Sequence, residues 1–306
     1  MDGYQKMTIK NVIDFANPKS FVASIVPAGF GILISIKYGY SVNLFRALGL
    51  LLSCVFFQAS VNTINDYSDF VNGVDSKEDN LEEDDNIMFY NKIDPRSVRK
   101  LGLIFLILGI ILGLISLGKI IYPSLIIGII GLLTVLLYSG GPFPLSYLPV
   151  GEIASGFVMG GLIPLGVFTV FAEKIDPRVL ALSLPLMVGI GLVMMSNNAS
   201  DIEKDRRANR YTLAVCLGRR NIRVVYRLSF LFWLGSELFL SYYLGGYLIL
   251  IFNILIFVWK RKFLADMYKK SLLPKDRIGQ MMGIGLTNII INGSYVVGIG
   301  LSLLGA

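Results

Sequence analysis

Long apolar segments alternate with short polar segments along the whole chain. Most of the apolar stretches are long enough to cross the roughly 30 Å hydrocarbon layer of a bilayer as a helix. The pattern therefore predicts an all-α polytopic membrane protein with nine transmembrane helices, in which residues 1–306 form a single transmembrane domain. We place the nine spans at about 20–38, 44–64, 100–118, 120–138, 153–172, 179–199, 224–243, 245–259 and 281–304.

The basic residues predict how these spans are oriented. If the N-terminus is cytoplasmic, 23 of the 28 Lys and Arg residues fall in the N-terminal segment or in the loops after spans two, six and eight. The five on the other side are Lys37, Arg46, Lys119, Lys174 and Arg178. By the positive-inside rule, we expect the N-terminus and these loops in the cytoplasm, in a membrane that we take to be the prokaryotic cell membrane.

Composition narrows the chemistry that is available. The chain is 54% hydrophobic and 16% charged, with a net charge of +7 that the basic loops explain. We therefore expect a lipid bilayer but no nucleic acid as a partner, and the sequence predicts no protein partner. The absence of histidine excludes Ser-His chemistry and His metal sites, and two isolated cysteines make neither a disulfide framework nor a thiolate site. Any metal is expected to have oxygen ligands, which favours Mg²⁺ or Ca²⁺.

Acids and amides gather at the ends of spans two and six. An even number of spans separates the two sets, so both are expected on one face of the membrane, the cytoplasmic one. The first cluster, in "NDYSDFVNGVD", comprises Asn65, Asp66, Asp69 and Asp75. The second cluster, in "NNASDIEKDRR", comprises Asn197, Asn198, Asp201 and Asp205.

The spacing within these clusters favours a cation site. Asn198, Asp201 and Asp205 fall at i, i+3 and i+7, on one stripe of a helix, while Asn65 and Asp69 are four residues apart. Facing carboxylates repel unless cations lie between them, and Mg²⁺ often shares such oxygen ligands with phosphate. Solvated helix ends are the alternative, which two matched clusters on one side make less attractive. Nearby basic residues such as Arg206 and Arg210 serve the positive-inside rule or clamp a diphosphate. With the apolar interior, this suggests a lipid diphosphate as substrate.

At these residues the chain resembles the UbiA superfamily of intramembrane prenyltransferases, which has nine transmembrane helices and two Asp-rich motifs. The resemblance covers essentially the whole chain and is closest to the 1,4-dihydroxy-2-naphthoate prenyltransferase branch of menaquinone synthesis. Four segments in order support it: "NPKSFVASIVPAGFG" (17–31), "NDYSDFVNGVD" (65–75), "YSGGPFPLSYLPVGE" (138–152) and "NNASDIEKDRRANRYTLAVCLG" (197–218).

The chain departs from that branch at three positions where a basic residue is common. Asn17 stands before Pro-Lys, Tyr211 follows Arg210 where the branch has Lys-Arg-Thr, and an acidic stretch replaces a Gly-Pro-x-Arg segment after the first cluster. These departures bear on diphosphate affinity and on the identity of the acceptor.

The resemblance implies Mg²⁺-dependent transfer of a prenyl group from a polyprenyl diphosphate to an aromatic acceptor. Asp66, Asp69, Asp201 and Asp205 would hold Mg²⁺, with Asn65 and Asn198 completing or orienting the shell and Asp75 joining it or serving the loop. The resemblance also implies roles for four further residues, each of which has a structural alternative. Tyr138 and Tyr67 would stabilise a carbocation or lie in an interface belt; Lys19 would bind an anion or reach the headgroups; Glu152 would act as base or orienter, or serve the helix dipole.

Two other classes compete with this interpretation. A transporter would have polar residues between its helices, and Asn62 and Glu237 are the nearest candidates within the spans. A CDP-alcohol phosphotransferase also binds Mg²⁺ through aspartates, but its Asp-Gly…Ala-Arg…Gly…Asp…Asp pattern is not in the sequence. Within the superfamily, another phenol, a lipid or haem remains open as acceptor.

Overall fold

The computed structural model describes residues 4–73, 88, 92–119, 122–139 and 144–304, and nearly all of them are helical. The helices, numbered in chain order, are α1 (Ile9–Ala16), α2 (Val22–Lys37), α3 (Leu44–Val71), α4 (Pro95–Ile115), α5 (Tyr122–Ser139), α6 (Gly151–Ala172, with a π turn at Val158–Leu162), α7 (Arg178–Leu182), α8 (Leu184–Ser200), α9 (Ile202–Arg207), α10 (Leu213–Trp259), α11 (Arg261–Tyr268) and α12 (Arg277–Leu304). Short 3₁₀ turns precede α2, α6 and α12.

The predicted all-α membrane bundle is confirmed. Among the described residues, five helices are long and apolar enough to cross a membrane, and α2 makes six when it is joined to the N-terminal segment, bent by 56°. The shorter apolar helices α5 and α8 and the second half of α10 match the other three predicted spans within the same described residues. Large apolar side chains on the outer faces of α4 and α5 are exposed, as expected of surfaces that face lipid.

Helix α10 holds two predicted spans in one run of 47 residues. Gly245 and Gly246 have non-helical backbone angles, with φ of −144° and +61°, and they divide the run into two halves. A positive φ is readily adopted by glycine because it lacks a Cβ atom. The two spans are therefore separate helical segments joined directly by a glycine break.

Close packing of α6 against α8 depends on small residues. A Cβ atom added at Gly160 would lie 2.4 Å from the backbone of Met187, and one at Gly156 would lie 2.5 Å from the Met187 carbonyl oxygen. Small residues let helix backbones approach closely in membrane bundles. This contact fixes the start of α6 beside the end of α8, where part of the candidate site lies.

Two apolar clusters support the polar ends of these helices. Phe15, Ala59 and Val98 are among the buried residues beneath the end of α3. Leu192, Tyr226 and Ile284 belong to a larger cluster of α8, α10 and α12. Both acidic clusters therefore stand on rigid helical supports.

Candidate functional site

The first acidic cluster lies on the last two turns of α3. We expected it to follow the span, but the helix continues to Val71 and keeps the cluster on regular backbone. The side chain of Asn65 donates to Asp69 Oδ2 at 3.4 Å, the i, i+4 contact that the spacing predicts. Asn65, Asp66 and Asp69 all line one large cavity. Asp75 lies outside the described residues.

The second cluster lies across a helix break. We expected Asn198, Asp201 and Asp205 on one continuous helical stripe, which is wrong because α8 ends at Ser200 and Asp201 has φ −105° and ψ 15°. The turn still brings the Asp205 amide to the Asp201 carbonyl oxygen at 2.8 Å, and all three side chains line the same cavity. The two clusters are thus brought together, as the even number of intervening spans predicts.

Arg210 joins the two clusters. Its guanidinium forms an ion pair with Asp69 Oδ1 and lies 4.0 Å from Asp205 Oδ1. The guanidinium also stacks on the ring of Tyr147, 4.5 Å from its centroid. Because Asp69 and Asp205 are 93% and 96% buried, the nearby positive charge offsets a large cost of removing carboxylates from water.

Arg277 makes the corresponding contact on the other side of the second cluster. Its Nε donates to both oxygens of Asp201, at 3.0 and 3.2 Å, and its Nη2 donates to Asn197 Oδ1 at 3.0 Å. In the sequence, Arg277 is one of the basic residues in the loop after span eight. Its position as the last charged residue before an apolar span was the available signal, but spacing alone could not pair it with a residue 76 positions earlier.

Glu152 is not part of the cavity lining but contacts Asn198, which is. It is 99% buried at the start of α6, and its Oε1 accepts a hydrogen bond from Asn198 Nδ2 at 2.9 Å. Since that nitrogen is committed to Glu152, the amide oxygen of Asn198 remains as an acceptor for the cavity. Among the described residues, Glu152 Oε2 has no hydrogen-bond partner. The geometry therefore fits an orienting role.

Of the other expected site residues, some line the cavity and some do not. Tyr138, near the end of α5, and the exposed Lys19, in the turn before α2, both line the cavity. Arg206 is exposed on α9 and is not part of the lining. Tyr67 is not part of the lining and packs instead with the apolar cluster around Phe15. Thr212, which sequence analysis missed, donates to Asp205 Oδ2 at 3.3 Å.

Electrostatics at the mouth of the cavity favour a bound cation. Burial raises the pKa of Asp205 to about 7, although the nearby Arg210 guanidinium acts to lower it. Asp205 therefore has an incomplete set of positive neighbours, and an additional cation would favour its ionised form.

The donor set suits Mg²⁺. Two pairs of carboxylates and the amide oxygens of Asn65 and Asn198 are hard oxygen ligands. In the described part of the chain, no three carboxylates or thiols form a group compact enough to hold a metal ion by themselves. A metal at either pair would therefore keep positions for water or phosphate oxygen, which is the usual coordination of Mg²⁺.

The cavity joins this polar mouth to a long apolar interior. Its volume is about 970 Å³, and its apolar lining includes Leu50, Gly113, Leu125 and Val170. Along α3, the 19 residue steps from Leu50 to Asp69, both in the lining, correspond to about 28 Å at the rise of an α-helix. The cavity therefore extends through most of the thickness of a bilayer and fits an anionic head joined to a long apolar chain.

Sequence comparisons identify a family and individual proteins that the chain is similar to. The profile of the UbiA prenyltransferase family matches residues 24–273. The chain is 30% identical over 227 residues to 1,4-dihydroxy-2-naphthoate octaprenyltransferase of Bacillus subtilis (strain 168), which covers 74% of this chain and 72% of that protein. It is 27% identical over 274 residues to UbiA prenyltransferase domain-containing protein 1 of Danio rerio, covering 87% and 80%.

Solved structures share the fold. A UbiA homolog from Archaeoglobus fulgidus bound to GPP and Mg²⁺ has a TM-score of 0.66 at 15% identity, covering 96% of this chain and 99% of that one. A digeranylgeranylglyceryl phosphate synthase has a TM-score of 0.59 at 20% identity, covering 95% and 98%. At these identities the likeness establishes the helical architecture.

Proposed function

The chain belongs to the UbiA prenyltransferase family, and from that premise we propose that it transfers a prenyl group from a polyprenyl diphosphate to 1,4-dihydroxy-2-naphthoate. The observation that supports this most directly is the pair of acidic clusters at the mouth of an apolar cavity whose lining follows α3 for about 28 Å. The mouth suits a metal-bound diphosphate, and the interior suits a prenyl chain.

The residues at the mouth fit Mg²⁺ as the cofactor. Asp66, Asp69, Asp201 and Asp205 would hold it, with the amide oxygens of Asn65 and Asn198 as neighbouring ligands. When bound, Mg²⁺ supplies positive charge that stabilises the departing diphosphate. A family relative of known structure was solved with GPP and Mg²⁺, which supports the same pairing here.

The arginines and the lysine bind the anionic substrate in this proposal. Arg210 and Arg277 already contact carboxylates of the two clusters, so each can offer its guanidinium to phosphate oxygens once those carboxylates bind metal. Lys19 adds a third positive charge at the mouth. Arg277 thereby adds a basic group from α12 to the same mouth.

The apolar part of the site protects the reaction. The allylic C–O bond to the diphosphate breaks as a bond forms from the prenyl carbon to an aromatic carbon of the acceptor. The Tyr138 ring offers a π face to the positive charge that develops on the prenyl fragment. The cavity walls hold the chain and exclude water, which would otherwise capture that fragment. With the naphthoate acceptor, the attacked carbon loses its carboxylate as CO₂.

The acceptor assignment rests on two lines of similarity. Octaprenyltransferases of B. subtilis and of Mycobacterium tuberculosis (strain ATCC 25618 / H37Rv), both named for 1,4-dihydroxy-2-naphthoate, are 30% and 32% identical to the chain over about 70% of its length. The second line is the resemblance of the four sequence segments, in order, to that branch. We place this chemistry at the cytoplasmic face of a prokaryotic cell membrane, in menaquinone biosynthesis, because the basic loops share a side with the acidic clusters.

A reconstituted assay tests the proposal. The purified protein in lipid would receive Mg²⁺, a short allylic diphosphate and 1,4-dihydroxy-2-naphthoate, and product would be followed by mass spectrometry with and without EDTA. Asp69→Asn and Asp201→Asn should abolish the metal-dependent product. Glu203→Gln is the matched control, because Glu203 is an exposed carboxylate on α9 outside the cavity lining.

Parallel reactions with a simple phenol, a glycerol-based lipid alcohol and haem separate the alternatives. Product with one of these but none with the naphthoate would keep the prenyltransferase and overturn the acceptor. Absence of both product and diphosphate release with all acceptors would contradict prenyl transfer and favour the transporter.

A further inference from the structure

A second group of buried polar side chains lies far from the acidic mouth, within the membrane-spanning part of α10. It consists of Glu237, Ser241 and Asn253, which we call the Glu237 cluster, and each of the three side chains is fully buried. About 28 Å of helix separates Glu237 from Gly218, next to the second acidic cluster, at the usual rise per residue. The cluster is therefore independent of the site described above.

Hydrogen bonds connect the three side chains but do not use all of their acceptor atoms. Ser241 Oγ donates to Glu237 Oε1 at 2.9 Å, and Asn253 Nδ2 donates to Ser241 Oγ at 2.9 Å. In the part of the chain that the structure describes, Glu237 Oε2 and Asn253 Oδ1 have no hydrogen-bond partner. Both unpartnered atoms are oxygens, so the group that completes the cluster must be positive or must donate hydrogen bonds.

The surroundings supply no positive charge to this carboxylate. None of the ion pairs among the described residues involves Glu237, in contrast to Asp69 and Asp201 at the mouth. Tyr295 on α12 interacts electrostatically with Glu237, but its hydroxyl donates to the Leu182 carbonyl oxygen at 3.0 Å. A buried carboxylate that lacks a positive partner is among the most expensive arrangements in a membrane interior.

The break in α10 adds negative character at the same place. Gly245 and Gly246 interrupt the helix one turn after Ser241. The last carbonyl groups before a break lose helical partners, and the carbonyl end of a helix attracts cations. The side-chain oxygens of the cluster and these backbone carbonyls therefore lie near the turn that joins the two spans of α10.

From these observations we propose that the Glu237 cluster binds one sodium ion, which ties together the two halves of α10. Glu237 Oε2 and Asn253 Oδ1 are the ligands that nothing else among the described residues satisfies, and Ser241 Oγ bonds to the other atom of each side chain. A single negative charge matches a monovalent cation, whereas Mg²⁺ would retain water and demand more carboxylate. Since Asn253 also packs near Gly298 of α12, the ion stabilises the contact between α10 and α12.

Thermal unfolding in detergent with EDTA tests this, because EDTA removes divalent ions from the other site. The wild-type protein would be compared in sodium, potassium and choline chloride at equal ionic strength. Sodium should raise the Tm by about 3–6 °C and saturate, as expected for a ligand that binds only the folded state. Glu237→Gln should remove the sodium response, and the exposed Glu203→Gln should retain it.

Ser241→Ala provides a second measurement if Glu237→Gln does not fold. Loss of one oxygen ligand should raise the sodium concentration for half of the Tm shift by about tenfold, so an unchanged response would overturn the proposal. A sodium response shared equally by all variants would be a general salt effect and would also overturn it. The proposal would also be overturned if sodium left the Tm of the wild type unchanged and Glu237→Gln were as stable as the wild type, because the carboxyl would then hold a proton.

Discussion

The two acidic clusters present the same kinds of side chain on differently built backbone. The first stands on the uninterrupted end of α3, and its internal contact from Asn65 to Asp69 is local. The second lies across the break at Asp201, and its contacts come from Glu152 and Arg277, 46 and 76 residues away. A regular helix can hold a ligand pair by spacing alone, whereas a broken one needs support from other helices.

Arg210 is the group that the two clusters share. It pairs with Asp69 of the first and approaches Asp205 of the second, while Arg277 contacts only the second. The clusters therefore form a joined site with unequal dependence on distant residues. Variants that remove one contact at a time measure that inequality.

Loss of a carboxylate should have the largest effect in either cluster. Asp69→Asn and Asp201→Asn keep the side-chain volume but remove a charge from the proposed metal ligands. We expect each to lower the turnover rate by at least about 100-fold, comparable to the loss of a preorganised electrostatic contact. Steady-state prenyl transfer at saturating Mg²⁺ measures this. If only one of them were inactive, the proposal that both clusters hold the metal would be wrong.

Removal of the shared arginine should have the next largest effect. Arg210→Gln leaves Asp69 and Asp205 without their common positive neighbour, and we expect kcat/KM for the diphosphate to fall about 100-fold. Breaking a buried pair also destabilises the fold by about 3–5 kcal/mol, so the Tm must be measured in parallel. Arg277→Gln is the comparison, with an expected loss nearer tenfold because it affects one cluster only. Equal losses would show that Arg210 does not join the clusters.

Removal of the Glu152 carboxylate, which supports the second cluster through Asn198, should have a moderate effect on the Mg²⁺ dependence of the rate. Glu152→Ala removes the acceptor of Asn198, and we expect the Mg²⁺ concentration for half-maximal rate to rise by about tenfold, as for other residues behind a metal ligand. Glu152→Gln keeps an oxygen acceptor and should lose much less. Inactivation of both variants to the same extent would instead indicate that Glu152 acts as a base.

A change in the apolar interior should have the smallest effect on rate with short donors. Gly131 lines the cavity, and a Cβ atom added there would meet nothing within 4 Å, so a side chain can leave the backbone of Gly131→Phe without an immediate clash. We expect turnover of a short prenyl diphosphate to change less than about threefold, while a long donor loses tenfold or more through steric exclusion. Gly235→Phe, equally unhindered but outside the cavity, is the control. An unchanged preference for chain length would place the prenyl chain elsewhere.

Much of the fold was predictable from the sequence because membrane helices obey simple rules. Runs of about 20 apolar residues, sided basic loops and motif order predicted the spans and brought both acidic clusters to one end. The helix break at Asp201 was missed because Asn198, Asp201 and Asp205 have helical spacing whether or not the backbone turns between them. Arg206 was expected at the site with Arg210, yet Arg206 is exposed, because α9 ends at Arg207 and the two arginines therefore do not share one helix face.

The sequence by itself determined the helical class, the family and the chemical character of the site, because these depend on local hydrophobicity and on residue type. The tertiary structure decided which polar and basic side chains contact each residue of the acidic clusters. Arg277 reaches Asp201 from the last helix and Glu152 reaches Asn198 from α6, although both residues read as ordinary polar helix starts. Such pairs depend on packing between distant helices, which in this bundle is set by close contacts such as Gly160 against Met187, and no local pattern encodes them.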